Sequence, residues 1–390
     1  MAAKLSQKPK KPPLSLVILF LPTSLTLAFL LMASNGVVSS CFSTQPSSPI
    51  EVITPRSPLK HEEIPPSIHG FISKERSKKM KAQLKFLQPN QHSKLFSTRA
   101  SKFINSNSCN NLLFFMTWIS SSTCFGPREL LSIESVFKFH PNACLLILSN
   151  TMDSPKGSRL LKPLNERGFK VLALSPDSRY LLKHTPAESW FRELLHGGVD
   201  PGDVSLGQNI SNLLRLAVLY KYGGIYIDTD VILMKSLSGL KNVIGAQTLD
   251  VHGNWSRLNN AVLIFNKGHP LVYKFIEEFT ETFDGSKWGH NGPYLVSRVV
   301  SKVAGKPGFE FTVLPPPAFY PVGWRRIDGL FEKPVDVRHS KWVAMKFDRI
   351  QQESFALHLW NRQSRDIKVG EGSVLQRIIK FCCVLCDSSL

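Results

Sequence analysis

The sequence predicts an α/β domain on a mostly parallel sheet, set behind an apolar amino-terminal segment and a spacer. Three observations lead there. From residue 111 onward, apolar runs of six to eight residues alternate with helix-period segments. Gly and Pro fall at the joints between them. The 390 residues, 43% hydrophobic, suffice for one large core or two modest domains. That composition excludes a wholly disordered chain, a collagen and a disulfide-dense miniprotein. Lys and Arg number 48 against 29 Asp and Glu, a formal charge of +19, which excludes an acid-rich protein and raises a nucleic-acid reading. Residues 1–107 hold 15 Lys/Arg against 4 Asp/Glu, so more than half the excess precedes the alternating region.

At the amino end, Lys4, Lys8, Lys10 and Lys11 precede Leu14–Ala33, 20 residues without a charge. At about 1.5 Å per residue this matches a hydrocarbon core of roughly 30 Å. The lysines make residues 1–13 a cytosolic tail and residues 14–33 a transmembrane signal anchor, with the rest luminal. A cleaved signal peptide, with Ser34–Ser40 as the small polar flank, and an acid-poor organellar transit peptide are the competing readings. Residues 34–107 read as a disordered stem. Pro46, Pro49, Pro55, Pro58, Pro65 and Pro66 punctuate it, and Lys78-Lys79-Met80-Lys81 charges it. No RNP, zinc-knuckle or helix-turn-helix signature follows, so these residues read as a spacer rather than a nucleic-acid arm. Cys41, Cys109, Cys124, Cys144, Cys382, Cys383 and Cys386 leave the pairing open, and Cys382-Cys383-x-x-Cys386 lacks a second zinc half-site. Asn209-Ile210-Ser211 and Asn254-Trp255-Ser256 are glycosylation sequons.

The elements follow in order. Asn111–Trp118 is an apolar strand; Pro127–Phe139 has helical spacing, with Pro127 at its start and Pro141 beyond its end. Ala143–Leu148 is the second strand, Gly157–Glu166 a helix stopped by Gly168, and Phe169–Leu174 the third strand. Strands alternating with helices imply crossover connections, and such a sheet binds ligands beyond its carboxyl-terminal strand ends. No GxGxxG or P-loop string is present. Gln208–Tyr222 is a helix closed by Gly223-Gly224. Ile210, Leu213, Leu214 and Ala217 form its apolar face; Gln208, Asn212, Arg215 and Leu219 share one stripe. Arg215 on so apolar a helix reads either as an anion contact or as a salt-bridged arginine.

The run Ile225-Tyr226-Ile227-Asp228-Thr229-Asp230 ends an apolar strand in two carboxylates two residues apart. The period of an extended chain turns both the same way. Hard oxygen ligands at a strand end suit Mn²⁺ or Mg²⁺, with diphosphate oxygens completing the shell. A cation also offsets the cost of carboxylates in apolar surroundings.

Five strings carry a resemblance: Leu213–Asp230, Leu258–Phe265, Trp288–Leu295, Val313–Pro321 and His358–Asn361. They are similar to the DXD-containing α-1,4-galactosyl/N-acetylglucosaminyltransferases, particularly their plant members. The resemblance implies a GT-A fold, a UDP-sugar donor, Mn²⁺, retention of anomeric configuration and a type II Golgi membrane enzyme. It implies a nucleotide-sugar-binding half at 108–250 and an acceptor-side half at 251–390. By position, Asp228 and Asp230 hold metal and diphosphate. Arg215, Tyr226, Asn259, Asn260, His290, Asn291 and Gly292 face the substrates. His358 is a third metal ligand, its alternative being a core histidine beside Trp360. Many relatives carry Ser-Asp where this chain has Ser211-Asn212; Asn212 keeps the reach to donor hydroxyls and loses the charge.

The implied reaction moves a hexose or N-acetylhexosamine from the UDP-sugar to a hydroxyl of a glycan or glycolipid. Gln247 is the expected residue beneath the sugar. Its amide forms no glycosyl ester, which favours same-face attack; Asp250 and Asp284 are outside candidates. An inactive, membrane-anchored nucleotide-sugar or glycan binder is the alternative that Asn212 motivates.

Overall fold

The computed structural model describes residues 84–106, 109 and 112–386. The tail, the anchor and most of the stem lie outside the described residues. Among those residues, no helix is long and apolar enough to cross a membrane.

The chain runs through α1 (Gln91–Lys94), α2 (Phe96–Ser106), β1 (Leu113–Thr117), α3 (Pro127–Phe139), β2 (Cys144–Leu148), α4 (Pro155–Glu166) and β3 (Lys170–Leu174). There follow α5 (Ser178–Leu182), α6 (Ala187–His196), α7 (Leu206–Tyr222), β4 (Gly224–Ile227), β5 (Val231–Leu233), β6 (Val243–Leu249) and β7 (Trp255–Phe265). The last part holds α8 (Pro270–Glu281), α9 (Pro293–Val303), β8 (Thr312–Leu314), α10 (Pro316–Phe319), α11 (Val337–Glu353), β9 (Ala356–His358), α12 (Asn361–Ser364) and α13 (Val374–Cys382). The expected strands and helices up to α7 appear with ends shifted by at most two residues.

The main sheet has the order β3-β2-β1-β4-β7-β6-β8. Neighbours from β3 to β4 are parallel, as are β6 and β8; β7 runs antiparallel to both β4 and β6. The chain steps from β1 to β3 in one direction and then places β4 on the other side of β1. That reversal opens a crevice at the carboxyl ends of β1 and β4. Alternate strand residues feed two cores: Phe114, Met116, Ile225 and Ile227 on one face, Leu113, Phe115 and Tyr226 on the other. The second core packs under α7, where Ile210, Leu213, Leu214 and Ala217 are buried as expected.

Two expectations need correction. First, the disordered stem does not extend to residue 107. A 3-10 turn at Lys85–Leu87 leads into α1 and α2; Phe96 and Ala100 are buried, and Arg99 bonds Asp153 through both terminal nitrogens at 2.8 and 2.9 Å. Basic composition concealed a short amphipathic helix with a buried acidic partner. Residues 108–250 and 251–390 share one sheet, because β6 and β7 pair across that boundary. Second, Asp228 and Asp230 do not sit on an extended strand. The Val231 N–H donates to the Asp228 carbonyl at 3.1 Å, so the pair occupies a tight turn between β4 and β5.

Cys109–Cys144 and Cys383–Cys386 are disulfides, so Cys383 and Cys386 do not form a zinc half-site. Asn209 is 3% exposed, which leaves no room for a glycan there, while Asn254 lies exposed in the β6–β7 connection.

Candidate active site

The Gly223-Gly224 joint brings β4 directly out of α7. Both glycines have positive φ, 69° and 115°, and a Cβ would lie 2.5 Å from the Lys267 nitrogen or 2.4 Å from the Leu113 carbonyl. The turn after β4 is held from two sides. On α3, Ser132 donates to the Val231 carbonyl at 2.5 Å, and Ser135 accepts from the Leu233 N–H at 2.9 Å. Beyond the turn, β5 pairs with β9 in a separate two-stranded sheet, setting Val231 opposite His358. A segment 128 residues downstream thereby reaches the acidic turn.

Ligand atoms of Asp228, Asp230 and His358 all lie within 4.8 Å of one another. Asp230 Oδ1 is 3.2 Å from His358 Nε2, and Oδ2 accepts the Asn361 N–H at 2.8 Å. His358 packs on Trp360 with ring centroids 4.1 Å apart, and Trp360 donates its indole N–H to the Val322 carbonyl at 2.8 Å. Both readings of His358 thus meet in one residue, packed in the core and aimed at the acidic pair.

Asp228 faces a different partner. Arg215 Nη1 is 3.2 Å from Oδ2 and Nη2 is 3.1 Å from Oδ1. Nη1 also donates to the Asn260 carbonyl at 2.8 Å, and the guanidinium lies 4.5 Å from the Tyr226 ring centroid. Tyr226 donates to Asp228 Oδ1 at 2.7 Å, and its hydroxyl is 2.7 Å from Thr117 at the end of β1. Arg215 therefore reads as salt-bridged within the protein, and the anion it meets is Asp228.

Burial pushes the Asp228 carboxyl upward; Arg215 opposes that and neighbouring Asp230 adds to it. Burial also works against ionised Asp230, but His358 beside it holds the carboxyl below the usual range. Burial disfavours charge on His358, yet Asp230 and Asp228 raise its affinity for a proton. The two carboxylates thus draw positive charge toward the space they share with Nε2. Two hard oxygens and one imidazole form a donor set that fits Mn²⁺ or Mg²⁺. Asp228 keeps 26% of its side chain exposed, so the cluster is open to solvent on one side.

The remaining residues divide. Asn212 Oδ1 accepts from Asn260 Nδ2 at 2.8 Å, and a Cβ on Gly292 would come within 2.9 Å of that oxygen. Asn212, Asn260 and Gly292 therefore form one packed shelf behind Arg215. Asn259 donates to Gln247 Oε1 at 3.0 Å and accepts the Ala261 N–H at 2.9 Å. Gln247 lies at a register shift between Ala246 and Thr248, a bulge that turns its amide toward Asn259. His290 and Asn291 join a different set of contacts. His290 donates through Nε2 to the Thr282 carbonyl at 2.7 Å, and Asn291 bonds Asn209 and both backbone groups of Asp284. They brace the loop that ends in Gly292.

Sequence reasoning gave no site role to Thr117, to Ser211, whose hydroxyl bonds Thr117 and accepts from Arg215 Nη2 at 3.3 Å, to Tyr320 or to Asn361. Tyr320 is buried 5.9 Å from the His358 ring, and its hydroxyl reaches the Asn259 carbonyl at 3.4 Å. The ends of the parallel strands could have flagged Thr117; Asn361 contributes only its backbone, which leaves no mark in the sequence. The loop also carries Trp288, 48% exposed, with the Arg362 guanidinium 4.2 Å from its ring centroid. A hollow of about 530 Å³ at Trp255, Val300, Phe309 and Phe311 shares no residue with the acidic cluster.

Residues 126–250 match the glycosyltransferase sugar-binding region containing the DXD motif, and residues 264–390 match the α-1,4-glycosyltransferase conserved region. Fold and motif place the chain in the DXD class. The chain is 30% identical over 250 residues to human lactosylceramide 4-alpha-galactosyltransferase, covering 60% of this chain and 65% of that protein. The mouse form is 30% identical over 269 residues, covering 65% and 68%. Human alpha-1,4-N-acetylglucosaminyltransferase is 27% identical over 292 residues, covering 69% and 78%. An uncharacterized Arabidopsis thaliana protein is 29% identical over 304 residues, 76% of this chain but only 45% of that protein. The chain thus spans less than two thirds of the Arabidopsis and human lactosylceramide relatives. It belongs to the α-1,4-glycosyltransferase family.

Proposed function

We propose that this protein is a retaining glycosyltransferase that moves a hexose or N-acetylhexosamine from a UDP-sugar to a hydroxyl of a glycan or glycolipid. The convergence of Asp228, Asp230 and His358 within 4.8 Å carries the reading. Asp228, Asp230 and His358 hold the divalent ion, Mn²⁺ by preference and Mg²⁺ in its place. When bound, that ion supplies electrostatic stabilisation of negative charge on the departing diphosphate. Arg215 and Tyr226 fix the Asp228 carboxylate in place, and the Asn361 N–H does the same for Asp230. Asn212, Asn259 and Asn260 contribute uncharged amides toward the donor hydroxyls.

The bond from the anomeric carbon to the phosphate oxygen breaks while the acceptor oxygen bonds that carbon on the same face. The acceptor proton passes to the leaving phosphate, and UDP departs. Gln247 lies beneath the sugar and orients it without forming an ester. The chain works as a single-pass type II protein of the Golgi membrane, anchored through residues 14–33 with residues 34–83 as spacer. The two sugar-transferring relatives support the donor and acceptor classes.

The test incubates the protein with a panel of UDP-sugars, with and without Mn²⁺. Hydrolysis of one UDP-sugar that needs the ion and disappears in Asp228→Ala and Asp230→Ala is the expected result. Binding of UDP-sugar with no turnover across the panel would replace this reading with the inactive binder.

A further inference from the structure

The loop between α8 and α9 reaches both sides of the candidate site. At its carboxyl end, Gly292 lies against the Asn212 amide. Earlier in the loop, the Trp288 ring takes the Arg362 guanidinium at 4.2 Å from its centroid. Arg362 follows Asn361 in α12, and the Asn361 N–H holds Asp230 Oδ2 at 2.8 Å. One loop thus touches the shelf behind Arg215 and Asp228 and also the flank of Asp230. Trp288 stands one arginine side chain away from the backbone that holds the second carboxylate.

The base of this loop is fixed by hydrogen bonds. Gly285 accepts the Val204 N–H at 2.8 Å, and Arg298 donates to the His290 carbonyl at 3.3 Å. Asn291 reaches back to Asp284, donating to its carbonyl at 2.8 Å and accepting its N–H at 3.1 Å. Gly289 turns the chain with φ 73°, and the Tyr294 ring lies 3.0 Å from where a Cβ would stand. These contacts hold the loop without covering Trp288, which stays 48% exposed. Arg362 lies over one face of the indole, so the exposed surface is the other face and the ring edge. A pyranose fits such a surface. Its C–H face packs on an aromatic face, and its hydroxyls accept from guanidinium and indole N–H donors. A ring already held in place also spares the ordering cost of binding. The amides assigned to the donor, Asn212, Asn259 and Asn260, are buried, so a sugar arriving from solvent meets Trp288 before it meets them.

We propose that Trp288, with Arg362 behind it, is the platform on which the acceptor sugar stacks, and that it discriminates between acceptors. The inference rests on the transfer reaction proposed above and assigns that reaction a residue for its second substrate. Arg362 holds the indole in place and offers N–H groups to the acceptor's hydroxyls.

The test uses the full chain with Mn²⁺, the UDP-sugar it turns over fastest, and methyl β-galactoside, methyl β-glucoside and methyl β-lactoside as acceptor probes. Trp288→Ala is expected to raise the KM for the accepting glycoside about tenfold and the KM for UDP-sugar less than about twofold. Trp288→Phe, which keeps a ring, recovers most of the loss. A second readout needs no turnover. The same glycosides, added with UDP and Mn²⁺, shift the tryptophan emission of the unaltered chain, and Trp288→Phe lacks that shift. An equal rise in both KM values would place Trp288 on the donor and overturn the proposal. So would an unchanged glycoside KM, an emission shift retained in Trp288→Phe, or an emission that no glycoside moves. Absence of UDP-sugar turnover in the unaltered chain would defeat the transfer reading instead, and the emission readout then decides by itself whether Trp288 binds a saccharide.

Discussion

The two sides of the main sheet differ in how they contribute to the site. From β3 to β4 the strands are parallel and in unbroken register, and their carboxyl ends deliver fixed charges: Asp228, with Arg215 and Tyr226 behind it. Across β7 and β6 the pairing is antiparallel and broken by register shifts, and it delivers amides: Asn259, Asn260 and Gln247. The regular side can bury the Arg215 charge because Asp228 meets it with an opposite one. The irregular side re-aims neutral groups, which cost little to leave half solvated. In the reaction proposed above, the rigid charges serve the metal and diphosphate and the amides serve the sugar.

The sharpest way to break this contrast is to remove charge from the regular side. Asp230→Ala is expected to lower UDP-sugar turnover on the order of 10³-fold, about 4 kcal/mol of barrier, and to abolish Mn²⁺ binding measured by calorimetry. Asp228→Ala should behave alike. Next comes Arg215→Met, which leaves Asp228 without its buried partner. Loss of about 3–5 kcal/mol in denaturant unfolding is expected, and a change under 1 kcal/mol would show that Asp228 does not depend on the pair.

His140 tests the packing of the regular side through pH. It is 5% exposed beside Phe114, and its Nε2 accepts the Leu237 N–H at 3.1 Å. Burial lowers its pKa from 6.5 to about 4. A depressed histidine pKa means that the unfolded chain takes up the proton first. Its contribution is complete above pH 6.5 and is lost as pH falls toward 4, by up to about 3 kcal/mol. Thermal melts across that window should show the slope, and His140→Gln should flatten it.

The smallest effects are expected away from the charged pair. Gly292→Ala forces a methyl against Asn212 and should cost about 1–3 kcal/mol of stability. Gln247→Ala, on a partly exposed bulge, should shift unfolding by less than about 1 kcal/mol while changing the kcat of donor hydrolysis. If Gln247→Ala proves as destabilising as Arg215→Met, the contrast between the two sides fails.

Legibility in the sequence followed the same divide. Helix Pro127–Phe139 and strands β1 to β3 were readable because apolar periodicity, Pro and Gly mark local structure. The acidic pair was readable as a motif, but its backbone was not: extended chain and tight turn both bring two side chains two residues apart together, and only pairing of β5 with β9 selects the turn. Residues 84–106 were hidden by their basic composition. Their order depends on Phe96 and on Asp153, which lies 54 residues downstream of Arg99.

By itself the sequence determined which groups are available: two carboxylates after an apolar strand, an arginine on an apolar helix, amides in pairs and a late histidine beside a tryptophan. Tertiary structure alone decided their partners. Arg215 turned to Asp228, His358 arrived beside Asp230, and His290 and Asn291 turned to their own loop. The physical reason is that periodicity records which face of a segment is buried, whereas the partner across a buried contact depends on strand order, which no local run of residues encodes.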